Sequence, residues 1–290
     1  MKSSFAIKST AETYLVANPN DSLYLLIDHA GMPGLYRKLG KSSGSWASLF
    51  DATRESGAFS VAPILIFLGC NSSLQVNKLL FNWISERAPN SSALIMLASH
   101  LSIKELKAKL TLRLDVKISQ DMDAMLRFFD PRIFEQLVKI LTSDQLAKLC
   151  GPARTWWYVD RTGGIVRIER EFQEIDGDGY SLELNEEQEF SLVSVSEPDQ
   201  VMHILRTAIP QVESLSSGNI YKIIADSIRA AARLKLGAIS DLALYSAMAI
   251  LRGVDFEELP YWRDVLPDVQ SGKITFANAV ANSEDIVWEK

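Results

Sequence analysis

Residues 126–159 read LRFFDPRIFEQLVKILTSDQLAKLCGPARTWWYV. Leu126–Phe129 is an apolar run of strand length. Asp130 and Pro131 then mark a helix start, because the carboxylate accepts first-turn N–H groups and the proline gives up a donor that the helix cannot use. The helix IFEQLVKIL follows. Thr142 and Ser143 offer caps for a second helix, TSDQLAKLC, which Gly151 and Pro152 end. Thr155–Val159 (TWWYV) is an aromatic-rich strand, and Gly163 and Gly164 turn the chain into the alternating IVRIERE.

The same alternation extends back to the N-terminus. Leu23–Ile27 is a strand followed by Gly31, Pro33 and Gly34, and VAPILIFLG from Val61 is a continuous run expected to be buried on both faces. A helix over Leu74–Arg87 carries Leu79, Leu80, Trp83 and Ile84 near the 3.6-residue period, stopped by Pro89 and Asn90. Ala93–Ala98 is another strand, and Ser102 caps a helix presenting Leu106, Leu110 and Leu114 on one face. Alternating runs of this kind imply an α/β lobe with a mainly mixed or parallel sheet. From Asp199 the strand-like runs vanish, leaving helices at 199–208, 219–236, 240–252 and 273–281. The expected division is an α/β lobe over 1–185 and an all-α helical lobe over 186–290, with an acidic connector running to about Pro198.

The chain has 290 residues, 47% hydrophobic and 23% charged, a globular composition. Thirty Lys and Arg against 36 Asp and Glu give a formal charge of −6, so no basic field exists for nucleic acid. That acidity belongs to the second part alone, where 9 basic residues face 16 acidic ones, against 21 and 20 in residues 1–185. Cys70 and Cys150 sit beside apolar segments, as free thiols in a reducing compartment do. Neither a signal peptide nor a membrane-length apolar stretch is seen, so the expectation is a cytoplasmic protein with no membrane partner.

Motifs for chemistry are sparse. His29, His100 and His203 lack a second ligand at metal-binding spacing, and GSWAS around Ser45 does not make a nucleophile elbow. Neither a phosphate loop nor a dinucleotide fingerprint is present, and no cofactor is expected. DGDG at 176–179 lacks the later ligands of a calcium loop and reads as a turn. Asp28 and Asp130 both follow strand-like runs, which leaves open a metal-assisted hydrolase if the two carboxylates converge on one ion. Arg127, Asp130 and Arg132 form a local charged network that either fixes the turn or presents forked donors to a partner. In TWWYV, Trp156 and Tyr158 share one face while Trp157 takes the other, so the aromatics either pack into the core on both faces, as their large area favours, or leave one for a surface contact.

RFFDPRIFEQLVKIL, followed by LTSDQLAKLCGPARTWW, resembles the adaptor (effector-chaperone) family of bacterial type VI secretion systems. The family pattern is R-x-x-D-P-R, a long helix and an aromatic residue before Gly-Pro; here Leu149 and Cys150 precede Gly151 instead. YLLIDHAG, SLFDAT, APILIFL and GAISDLALYSAMAILRGVDFEELP follow in the family's order, so the resemblance spans about residues 20–280. It implies a protein that catalyses nothing, binds a toxic secreted effector and loads it onto a spike protein of the VgrG type. Such a role needs an apolar groove with a charged rim. The candidate partner-binding residues are Arg127, Asp130, Arg132 and Trp157, with Tyr245 and Trp262 beside Leu244 and Met248 in the helical lobe.

Overall fold

The computed structural model describes residues 7–283 apart from 42–43, 92, 120–121, 162–163, 174–179, 195, 211 and 213–216; the DGDG turn lies outside the described residues. The chain forms two compact units, one ending at Leu192 and the other beginning at Val193.

The first unit carries strands β1 (Ser22–Asp28), β2 (Trp46–Ser48), β3 (Pro63–Cys70), β4 (Ser73–Leu74), β5 (Leu94–Ser99), β6 (Asp115–Ile118), β7 (Met122–Met125), β8 (Thr155–Val159) and β9 (Ile165–Glu169). Its helices are α1 (Ile7–Ala17), α2 (Leu35–Leu39), α3 (Lys78–Ser91), α4 (Ile103–Leu112), α5 (Pro131–Ile140), α6 (Ser143–Cys150) and α7 (Glu186–Ser194), the last of which continues past Leu192. The main sheet has the order β2-β3-β1-β5-β8-β9, with β4 folded back on β3, and every pairing in it is antiparallel.

This overturns the mixed or parallel sheet that the alternation of strands and helices suggests. The helical crossover does return the chain in the same direction, since β3 and β5, joined through α3, are both antiparallel to β1. They are separated by one strand position, however, and β1 fills it running the opposite way. Burial on both faces, which made the runs look parallel, comes instead from helices on either side. The alternation along β8 shows this: Trp157 meets Tyr14 of α1 edge-on at 4.9 Å, while Trp156 stacks on Phe134 of α5 at 5.0 Å. Successive strand residues point to opposite faces, so α1 and α5 cover the two sides.

A second correction concerns Leu126–Phe129, which is not a strand. The Asp130 N–H returns to the Arg127 carbonyl at 3.0 Å and closes a turn, which buries both Phe128 and Phe129. The small β6–β7 hairpin precedes it. Ser102 and Thr142 do cap α4 and α6, each through a reciprocal box with Glu105 and Gln145. Sequence patterning missed α1 and α7; the latter lies in the segment read as a connector.

Arg113, just past α4, is fully buried and donates to the carbonyls of Lys109 (2.6 Å), Lys148 (2.9 Å) and Leu149 (3.0 Å). It thereby satisfies the last carbonyls of α6, which have no partner within the helix. Burial pulls its pKa down to about 10.

The second unit is helical: α8 (Glu197–Ala208), α9 (Ser217–Arg233), α10 (Ile239–Arg252), α11 (Pro260–Gln270) and α12 (Phe276–Asn282). Four are the helices expected from the apolar stripes; α11 escaped notice because Pro260 and Pro267 interrupt its pattern. Their core closes on a ring of aromatics in which Tyr245–Phe256, Phe256–Trp262 and Trp262–Phe276 lie 5.0, 5.2 and 5.6 Å apart.

Replacing Arg113 by Met removes its bonds to the Lys109, Lys148 and Leu149 carbonyls, of which the Leu149 contact is fully buried. The expected loss is about 3 kcal/mol of unfolding free energy, measured by urea denaturation.

Candidate functional site

β1 ends on Asp28, and the turn at 127–130 brings Asp130 beside it. Asp130 caps α5 by accepting the Arg132 N–H at 3.0 Å, and its two oxygens take the Arg132 fork through Nε at 3.0 Å and Nη2 at 2.7 Å. Arg127 Nη2 donates to Asp28 Oδ2 at 3.0 Å and lies 3.8 Å from Asp130 Oδ2. Asp28 also accepts the Ala30 N–H at 3.1 Å.

The partition of burial across this cluster is its main property. Both aspartates are 3% exposed, whereas the arginine side chains are 49% (Arg127) and 41% (Arg132) exposed. Buried acceptors therefore hold two surface guanidinium groups in fixed orientations, so less side-chain freedom remains to be lost when a partner's acceptor meets them. A second buried pair supports α5 from beneath: Glu135 accepts from Arg161 Nη1 at 3.2 Å, and the same nitrogen donates to the Arg132 carbonyl at 2.8 Å.

Burial raises the Asp28 pKa. The Arg127 charge opposes this, and Asp130 adds to it.

The two carboxylates do converge, but on the Arg127 guanidinium. A metal there would have to displace that cation and find a third ligand, and among the described residues no group of three His, Cys, Asp or Glu is arranged to hold one. The metal-assisted hydrolase through Asp28 and Asp130 is set aside on this geometry. His29 is buried, with Nδ1 2.8 Å from the Phe59 carbonyl.

Of the remaining candidates, Trp157 is 3% exposed beneath Tyr14, with the Arg167 guanidinium 5.6 Å from its ring centre. Tyr245 and Trp262 belong to the aromatic ring of the helical unit, and the Tyr245 hydroxyl bonds Glu257. The apolar contacts expected of these three are thus made inside their own units.

Exposed apolar surface lies elsewhere, and sequence reading missed it. Tyr36 (48%), Phe59 (52%) and Val61 (46%) are exposed on short segments flanking β2 and β3. A cavity of about 240 Å³ is lined by Tyr36, Trp46, Ser48, Asp51, Phe59 and Ile64. It adjoins the charged cluster through His29, which follows Asp28, stacks against Tyr36 at 6.4 Å and holds the Phe59 carbonyl. No periodic signal marks these aromatics, because none stands in a long helix or strand.

Fold and site together define a two-unit protein whose sheet-bearing unit displays arginines clamped by buried carboxylates beside an aromatic cavity. Within it, residues 23–148 match the family model described as "Domain of unknown function (DUF4123)", so a DUF4123 domain contains Asp28, Arg127, Asp130 and Arg132. No curated protein and no solved structure matches the chain.

The raised Asp28 pKa means that the folded chain holds this proton to a higher pH than the unfolded chain. Between the ordinary value of 3.8 and the raised one, the native state binds more protons, so this group makes stability fall as pH rises through the window. Asp28→Asn is expected to remove that component, giving a flatter profile when urea unfolding is followed at stepped pH across the window.

Proposed function

We propose that this chain is a type VI secretion adaptor that binds a toxic effector in the cytoplasm and promotes its loading onto a VgrG-type spike protein, without catalysis. The observation that carries this reading is the pair of exposed guanidinium groups, Arg127 and Arg132, locked onto buried Asp28 and Asp130. Here the R-x-x-D-P-R motif supplies more than a helix start. It supplies a charged rim, and the cavity next to it, lined by Tyr36, Trp46 and Phe59 together with Ser48 and Asp51, supplies aromatic anchors and polar groups for a polypeptide partner. The DUF4123 match, which includes both rim arginines, supports the same reading. No helix among the described residues is long and apolar enough to cross a membrane.

Co-expression with any candidate effector encoded beside it, followed by affinity purification of the tagged chain, tests the proposal. A stable complex that also enriches the effector on the spike protein is expected. A chain that retains neither polypeptide would defeat the reading.

Two substitutions locate the contact. Arg132→Glu is expected to weaken effector binding by about tenfold or more through charge reversal at the rim. Phe59→Ala is expected to weaken it by a similar factor through loss of an exposed aromatic anchor, about 1 to 2 kcal/mol. Thermal unfolding of Phe59→Ala should stay within about 3 °C of the parent, because Phe59 is 52% exposed. Arg132→Glu also strips buried Asp130 of its fork and is expected to lower the midpoint, so its binding is measured on material that circular dichroism shows to be folded.

A further inference from the structure

The two edges of the main sheet are treated differently. β2 is three residues long, and the outward Ser48 carbonyl accepts the Asp51 N–H at 3.5 Å. Among the described residues β9 has no such cover. Its register with β8 is unbroken from Thr155↔Glu169 to Val159↔Ile165, and its sequence, IVRIE, contains no proline, glycine or bulge of the kind that blunts an edge.

The flanking bonds, Asp160 N–H to the Gly164 carbonyl and Arg170 N–H to the Arg154 carbonyl, fix the phase of the ladder. Residues 164, 166, 168 and 170 aim their main-chain groups at β8, so Ile165, Arg167 and Glu169 aim theirs away. Among the described residues these outward groups have no hydrogen-bond partner. Ile165 is also 44% exposed.

We propose that β9 is a self-pairing edge: two copies of the chain join their β9 strands antiparallel, about a two-fold axis through Ile168, into one continuous sheet. Charge selects this occupant and this register. With the axis at Ile168, Arg167 of each copy lies directly opposite Glu169 of the other, and directly opposed side chains share a face, so two cross-strand ion pairs form. A register centred on Arg167 sets like charges against each other, and one centred on Val166 sets Arg167 against Ile165, so neither forms the two ion pairs. The Arg167 guanidinium already sits in place, over the rings of Trp157 at 5.6 Å and Tyr14 at 5.9 Å and paired with Glu169 of its own strand. Dimerisation turns that local pair into an alternating network of four charges.

Sedimentation equilibrium of the full chain from about 1 to 100 μM is expected to show a concentration-dependent dimer. Arg167→Glu alone, or Glu169→Arg alone, should weaken it by about tenfold, because each replaces two attractions with two repulsions. Both substitutions in one chain exchange the charges and should restore the parent affinity to within about threefold. Ile165→Pro removes an N–H that points away from β8, so it should weaken the dimer while leaving circular dichroism and thermal midpoint unchanged. A monomer across the whole range would overturn the proposal. So would a dimer indifferent to these substitutions, or a double variant no better than the singles.

Discussion

Two carboxylates withdrawn from water at the end of β1 and the start of α5 set the terms for this part of the molecule. An ionised aspartate at 3% exposure is costly unless cations and N–H groups surround it. Asp130 meets that demand with the Arg132 fork and the first turn of α5, and Asp28 meets part of it with Arg127 and the Ala30 N–H, burial still raising its pKa. The same contacts that satisfy the aspartates draw the turn at 127–130 against the end of β1 and fix the arginines at the surface. One interaction thus serves both the closure of the fold and the display of a rim.

The antiparallel sheet determines what surrounds this cluster. Because β1 runs between β3 and β5, its last residue emerges beside the start of β3, next to the segment that carries Phe59 and Val61. Aromatic surface and charged rim become neighbours through that insertion. A parallel neighbour would bring its opposite end to Asp28. The sheet's helices cover both faces, α1 through Tyr14 and α5 through Phe134, which among the described residues leaves β9 as the open edge.

Local signals were legible where the chemistry is local. Asp130-Pro131, Ser102 and Thr142 act over a few residues of backbone, and each appears in the structure as a cap, although the reciprocal partners Glu105 and Gln145 went unread. Periodicity likewise marked the stripes of α9 and α10. It misread Leu126–Phe129, because a run of four apolar residues is compatible with a strand or with a turn whose side chains fold inward. The turn prevails because it buries Phe128 and Phe129 while keeping Arg127 outside.

The amino-acid order alone determined the helix caps, the two-part division of apolar patterning and the charged motif, since each depends on residues within a turn or two of one another. Strand direction, the pairing of Asp28 with Arg127 across 99 positions, and the exposure of Tyr36 and Phe59 were decided only by tertiary structure. The physical reason is that an apolar run specifies burial but carries no information about which strand lies beside it. Direction and neighbourhood are fixed when β1 inserts between β3 and β5, a choice made by the whole core at once.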